Sequence, residues 1–354
     1  MVSLEELLLL LVKKGGSDLH ITVGAPPRIR IDGELINTEF EVMTPDSCQK
    51  LIYGLLSNSQ IAKFEKDLEL DISFGVEELG RFRTNVFKQR GAVGAVMRLI
   101  PFQIKTFEQL GLSRKICEDI CNSHKGLVLI TGSTGSGKST TLAAMIDYIN
   151  SNFKGHIITV EDPVEFIHKH KNSLINQREV GTDTHDFKDA LKRALRQDPD
   201  VVLIGEMRDL ETTEAALTIS ETGHLAFATL HTSDCVQTIN RIIDIFPSHQ
   251  QQQIRTQLSF TLQAVFCQQL LPRAEGKGRV LAAEIMLATP AIRSLIRDSK
   301  IHQIYSSIQT GGKMGMTTMN QTLNELYKKR QITFETAMEA TSDPDDLKRI
   351  FEKG

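Results

Sequence analysis

Residues 130–140 read ITGSTGSGKST, and their types and spacing suit one task, the holding of a phosphate chain. Gly132, Gly137, Lys138 and Ser139 fit G-x-x-x-x-G-K-[ST], a pattern that carries this meaning only between a strand and a helix. Glycines let successive backbone N–H groups turn inward around the β- and γ-phosphates, and a helix opening at Lys138 adds its partial positive charge. Ser133, Thr134, Gly135, Ser136 and Thr140 complete the loop. Lys138 supplies a point charge. Ser139 offers a hydroxyl to Mg²⁺, a hard cation that takes oxygen ligands.

Carboxylates with the matching role lie downstream. VVLIGEMRD sets the apolar run Val201 to Ile204 before Gly205 and Glu206, so an acid emerges at the carboxyl end of a strand, where ligands of α/β proteins sit. Glu206 there would complete the magnesium shell through water; read alone, it is equally a surface glutamate opening a loop. ITVEDPVEF repeats the design, with Glu161, Asp162 and Glu165 after a strand and Pro163 stiffening the turn. One of these acids would orient and polarise an attacking water, and the pattern leaves Glu161 and Glu165 both open. TGHLAFATLHT places His224 and His231 at the two ends of a strand, at a spacing that suits no zinc site. His231, at the carboxyl end beside Glu206, would sense the γ-phosphate.

These groups need a scaffold, and the chain supplies one from Leu127 onward. Apolar runs at Leu127 to Ile130, Ile157 to Val160, Val201 to Ile204 and Ala226 to Leu230 alternate with helical patterns at Lys138 to Asn150, Asp186 to Leu195 and Leu210 to Glu221. Near-continuous apolar strands between helices indicate a parallel sheet covered on both faces, and so an α/β fold class. After Gln250 the pattern predicts mostly helix, interrupted by a strand at Val280 to Leu287. The first hundred residues read differently. An opening helix at Ser3 to Lys14 precedes strands at Leu19 to Val23 and Arg28 to Ile31, and Asp32-Gly33 signals a hairpin. Helices at Thr44 to Leu56 and Ser59 to Lys66 follow, then strands at Leu70 to Phe74, Arg81 to Phe87 and Ala92 to Ile100. This predicts a small antiparallel α+β domain at 1–101, ended by Pro101, a linker at 102–112 and the larger domain at 113–354.

Composition narrows the partners. A net charge of −3 and a pI near 6.4 give no global basic field for nucleic acid, and the chain has no Trp and only four Tyr for base stacking. The apolar run Leu7 to Val12 falls far short of the roughly 20 residues a spanning helix needs, and no charged segment before it marks a signal peptide. The cysteines Cys48, Cys117, Cys121, Cys235 and Cys267 form no CxxC pair and read as core thiols of a reducing cytoplasm.

GSTGSGKS, ITVEDPVEF, VVLIGEMRD and TGHLAFATLHT, in this order, resemble the motifs of the secretion ATPases of type II secretion and type IV pili. GGSDLHI, RFRTNVFKQRGA, INQREVG, RALRQDPD, TINRIIDIFP and AIRSLIRD resemble its pilus-retraction branch. The resemblance implies a RecA-like P-loop ATPase domain with a smaller N-terminal PAS-like α+β domain. It implies a homohexameric motor that hydrolyses ATP with Mg²⁺, in the cytoplasm at the inner-membrane base of the pilus machine. The expected partner is a PilC-like inner-membrane platform protein, through which alone the motor meets the membrane; no nucleic acid is expected. By resemblance Glu165 takes the water-activating role, Glu206 is the Walker B acid, and His224 and His231 form the histidine pair. Arginines of the N-terminal domain would reach the nucleotide, with Arg83 and Arg98 the best matches and Arg90 a third. AIRSLIRD matches a segment associated with retraction, and its pattern by itself is that of an amphipathic helix. Ser133 stands where relatives often have proline, and Ser294 and Asp298 replace asparagine and glutamate. Pilus assembly, type II export, an accessory retraction paralogue, a nucleic-acid translocase and a nucleotide-gated scaffold are the competing functions.

Overall fold

The protein is described by a computed structural model over residues 2–31, 33–76, 79–100 and 104–352. It divides into two units, Met1–Gln103 and Ile104–Gly354.

In the first unit, strands β1 (Asp18–Ile21), β2 (Arg28–Ile31), β3 (Glu34–Asn37), β4 (Glu69–Val76), β5 (Gly80–Gln89) and β6 (Ala92–Ile100) form one sheet. Its order is β3-β2-β1-β6-β5-β4, and every neighbouring pair is antiparallel. Alternation assigns the faces: in β5, Phe82, Thr84 and Val86 are buried while Arg83 between them is exposed. The helices Leu4–Lys13, Pro45–Tyr53 and Asn58–Asp67 bring Leu7, Leu11, Ile52 and Phe64 into one core with Leu19, Phe82, Val86 and Met97. Each opens on a capping box, at Ser3 with Glu6, Thr44 with Ser47 and Ser57 with Gln60, which satisfies N–H groups that have no partner inside the helix. β2 and β3 pair around Gly33, whose φ is +92°. Asp32 of that turn, and Pro101, Phe102 and Gln103 at the expected junction, lie outside the described residues.

In the second unit, β7 (Gly126–Thr131), β8 (His156–Glu161), β9 (Leu174–Glu179), β10 (Val201–Ile204), β11 (Leu225–Leu230), β12 (Leu262–Pro272) and β13 (Arg279–Leu287) form a seven-stranded sheet in the order β13-β12-β7-β11-β10-β8-β9. All pairs are parallel except β12 with β13. Every residue of β7, β10 and β11 is buried, as expected of strands covered by helices on both faces. One apolar layer packs Leu127, Ile204 and Ala228 with the helices Leu210–Glu221 and Cys235–Asp244; the other packs Val128, Leu203 and Phe227 with Lys138–Asn152. Ile104, Phe107, Leu110 and Leu112, from the stretch expected to link the domains, belong to the second layer.

Two strands depart from the sequence expectation. The helix Gln251–Thr261 runs without a loop into β12, so the region after Gln250 contributes an eleven-residue strand directly beside β7. Gln268 and Gln269 interrupt its apolar run and no Gly or Pro marks the joint, which is why the pattern reads as helix. Arg293 closes the end of that helix: its Nη1 donates to the carbonyls of Ser259 at 2.7 Å and Phe260 at 2.8 Å, and its Nε to Ala288 O at 2.8 Å. β9 is an edge strand of mostly polar residues and carries little periodic signal. No helix among the described residues is long and apolar enough to cross a membrane. All five cysteines are buried thiols.

Candidate nucleotide site at the carboxyl edge of the parallel sheet

Strand register builds this site. Thr131 of β7 lies opposite Leu230 of β11, and Ile204 of β10 lies opposite both Ala228 of β11 and Val160 of β8. Four carboxyl ends therefore stand together. Along them follow the phosphate loop after β7, His231 after β11, Glu206 after β10 and Glu161 to Glu165 from the end of β8.

The loop requires its glycines. Gly132 has φ +138°, and a Cβ there would stand 2.3 Å from the backbone oxygen of Gln268 on β12. Gly137 has φ +93° and opens the helix Lys138–Asn152, whose first N–H groups no side chain caps. Unsatisfied N–H groups at a helix start attract anions. Ser133, Thr134 and Gly135 are exposed, Ser136 is buried, and Ser139 and Thr140 sit half-buried in the first helical turn. Lys138 Nζ donates to Gly132 O at 2.7 Å and Ser133 O at 3.0 Å. Burial lowers its pKa, while the carboxylates of Glu206 and Glu165 act in the opposite sense, so both acids lie within electrostatic reach of this ammonium. Beside Gly137 and Thr140 opens a cavity of about 460 Å³, bounded also by Leu110, Gly111, Leu270 and Arg279.

Glu206 is held by two neighbours. Its Oε1 lies 3.2 Å from His231 Nε2 and its Oε2 2.8 Å from an Arg208 Nη. Burial alone would raise its pKa; Arg208 and His231 outweigh that and hold the carboxyl below its ordinary value. The strand end beneath it is tied down, since the Thr229 hydroxyl donates to Gly205 O and Met207 N donates to Thr229 O at 3.0 Å. Glu161 is placed differently. It accepts from Thr159 Oγ1 at 2.7 Å and Gln177 Nε2 at 3.3 Å, and burial raises its pKa in spite of these donors. Glu165, four residues on and past the cis Asp162–Pro163 bond, is exposed.

The structure thus brings Lys138, Ser139, Glu206, His231 and the Glu161–Glu165 segment to one edge. It does not bring His224 there. His224 precedes β11 at the opposite, amino end of the sheet, and a six-residue strand separates it from His231 by about 20 Å. Its Nδ1 lies 3.2 Å from Ile219 O and 3.1 Å from the Thr222 hydroxyl, contacts that tie off the end of the preceding helix. Within this chain His224 therefore stands apart from the phosphate loop, at the amino end of the sheet. Arg83, Arg98 and Arg90 belong to the first unit, where Arg83 faces Arg98 across β5 and β6 and Arg90, with φ +50°, sits in the turn between these strands. Two residues escaped the sequence reading. Arg208, two positions after Glu206, is the cation that neutralises it, a spacing visible in GEMRD. Gln268 carries no motif signal, yet its Nε2 donates to Thr141 Oγ1 at 2.8 Å and its carbonyl faces Gly132.

Comparison with known proteins shows what the chain is similar to. The chain matches the family described as Type II/IV secretion system protein over residues 3–339. It is 48% identical to the Type IV pilus retractation ATPase PilT of Pseudomonas aeruginosa over 346 residues, 98% of this chain and 100% of that protein. It is 41% identical to the Type IV pilus ATPase PilU of the same organism, over 99% of this chain and 91% of that one. A crystal structure of the pilus retraction motor PilT with bound ADP superimposes with a TM-score of 0.93 at 52% identity, covering 99% of this chain and 100% of that chain. The α/β architecture is accordingly a RecA-like P-loop domain joined to a smaller PAS-like α+β domain. This chain belongs to the Type II/IV secretion system protein family.

Proposed function

We propose that the chain is an ATP hydrolase, the subunit of a homohexameric motor that powers type IV pilus retraction and hence twitching motility. Backbone N–H groups of residues 132–138 and the Lys138 ammonium hold the β- and γ-phosphates, and the cavity beside Gly137 and Thr140 takes the nucleoside. The hydroxyl of Ser139 and the carboxylate of Glu206 are hard oxygen donors, a set that fits Mg²⁺, with Glu206 acting through water. An ion held by these two residues would supply positive charge against the phosphate chain.

Glu165 orients and activates the attacking water. Its exposure supports this choice over Glu161, whose carboxylate is occupied by Thr159 and Gln177. His231 links Glu206 to the γ-phosphate and Arg208 keeps Glu206 ionised. Arg83 and Arg98 are the cations of the first unit that the resemblance offers for nucleotide binding. The force is delivered to a PilC-like platform protein in the inner membrane, with the ring on its cytoplasmic side. The carrying observation is the row of Lys138, His231 and Glu206 on one sheet edge, in a chain similar over its length to a pilus retraction ATPase.

The test is deletion in the source organism. Surplus surface pili with lost surface motility supports retraction. Loss of pili indicates assembly, and unchanged motility an accessory role.

A further inference from the structure

Away from the Glu206 cluster, three ionisable side chains of the second unit meet in its buried interior. Register places Cys267 of β12 opposite Thr131 of β7 on one side and opposite Glu284 of β13 on the other. Paired positions share a face of the sheet. Cys235, the first residue of the helix Cys235–Asp244, comes down on that row. Its Sγ lies 3.6 Å from Cys267 Sγ, and its N–H donates to Glu284 Oε1 at 2.8 Å. The two sulfurs and a carboxylate oxygen of Glu284 all lie within 4.8 Å of one another. Zinc holding thiolates at about 2.3 Å in tetrahedral geometry sets two sulfurs about 3.8 Å apart, so Cys235 and Cys267 already stand at ligand spacing. Both cysteines are fully buried and Glu284 is 3% exposed. A buried charge is tolerated when it is paired or coordinates a metal. Glu284 accepts from the backbone N–H groups of Cys235 and, at 3.4 Å, Met319, and among the described residues no cation pairs with it. These donors are the support that a ligating carboxylate needs from its surroundings, and Thr131 Oγ1, donating to Cys267 Sγ at 3.0 Å, gives the same support to a thiolate. The start of the helix favours the thiolate of Cys235. Mg²⁺ and Ca²⁺ take oxygen ligands, whereas two thiolates and a carboxylate suit zinc.

We infer that Cys235, Cys267 and Glu284 form a zinc site behind the phosphate loop. Zn²⁺ forms two Zn–S bonds and one Zn–O bond there, and the two thiol protons, with the carboxyl proton where Glu284 carries one, leave to solvent. The hydroxyls of Thr131 and Thr238, 3.0 and 3.8 Å from Cys267 Sγ, flank the fourth position. The ion ties β12, β13 and the helix Cys235–Asp244 together one residue short of the loop, since Thr131 and Cys267 directly precede Gly132 and Gln268, whose backbones meet. Because the site is buried, it fills as the chain folds.

The full-length chain is therefore produced in medium supplied with Zn²⁺ or Co²⁺, washed briefly with chelator, and measured without nucleotide for metal content, absorption and melting temperature. About one Zn²⁺ per chain is expected, falling at least about tenfold in C235S and C267S and remaining in C117S, whose thiol lies in the other apolar layer. The cobalt form should show the thiolate charge-transfer absorption of two sulfurs, which an oxygen-lined Mg²⁺ site cannot give. Zn²⁺ should raise the melting temperature of the wild type and not of C267S. The inference is overturned by a wild type with no more metal than C267S, by cobalt bound without thiolate absorption, or by absorption lost in C117S. If the cysteine variants do not fold, E284Q decides on the cobalt form: a shifted spectrum supports the site, and an unchanged one overturns it.

Discussion

β7, β10 and β11 of the second unit are buried along their whole length, and the groups with chemistry stand beyond the strand ends, on loops. In the first unit the cations project from the strands themselves, Arg83 between Phe82 and Thr84, Arg98 directly across from it. A loop at a sheet edge separates function from stability, since its side chains can change without disturbing the layers that hold the strands. A charged row on a sheet face does not, since each member balances its neighbours. Loss of activity at constant stability is thus the signature of the second unit, and a mixture of both that of the first.

The largest effect tests the separation at its strongest point. Lys138→Ala and Glu206→Ala are expected to abolish ATPase turnover, by more than about a thousandfold, consistent with loss of a phosphate-stabilising cation or a metal-shell acid. Their melting temperatures should stay near wild type; near-normal turnover in either purified variant would refute the site assignment. Next comes the choice between the two acids after β8. Glu165→Gln should lower kcat by about a hundredfold with nucleotide binding retained, and Glu161→Gln by less than about tenfold, general-base loss being the larger effect. A reversed order moves the base to Glu161. Gly132→Ala is the loop position where the comparison should break. Its Cβ would meet Gln268 O and its φ is positive, so destabilisation of about 1–3 kcal/mol should accompany weakened nucleotide binding, read together by calorimetry and titration.

The smallest effect concerns pH. Arg208 lowers the Glu206 pKa, so Arg208→Ala should raise it and move the acid limb of the ATPase profile toward neutral, leaving the alkaline limb in place. A carboxyl with a depressed folded pKa stabilises above its unfolded pKa, and that stability fades as pH falls through the folded value. Arg208 is largely exposed, so the accompanying change in stability is small. An unmoved acid limb would show that Glu206 is not the group titrating there.

The same contrast explains what could be read without coordinates. The phosphate loop, the acids after β8 and β10 and the strands beneath them were legible because a buried parallel strand is an unbroken apolar word and its loop begins where the word stops. β12 was not, because Gln268 sits inside the strand, and its value lies in the Thr141 hydroxyl and the Gly132 backbone it meets across the sheet. Sequence spacing put His224 and His231 at the two ends of one strand; only the sheet's polarity shows that a single end faces the phosphate loop. Arg83 and Arg98 were singled out by resemblance, but the aspartate between Arg98 and Arg30 depends on register, which a single chain of letters does not display.

The loopless joint between Thr261 and Leu262 bears on how the length of this polypeptide can vary. β12 already takes up Gln263 as an irregularity against β7, where Leu262 pairs with Leu127 and Ala264 with Val128. A further insertion or a deletion there would slide Gln268 off Thr141 and its carbonyl off Gly132, so an indel several residues away would register at the phosphates. The turn at 273–278, with Gly276 and Gly278 at positive φ, is the better place to thread a tag.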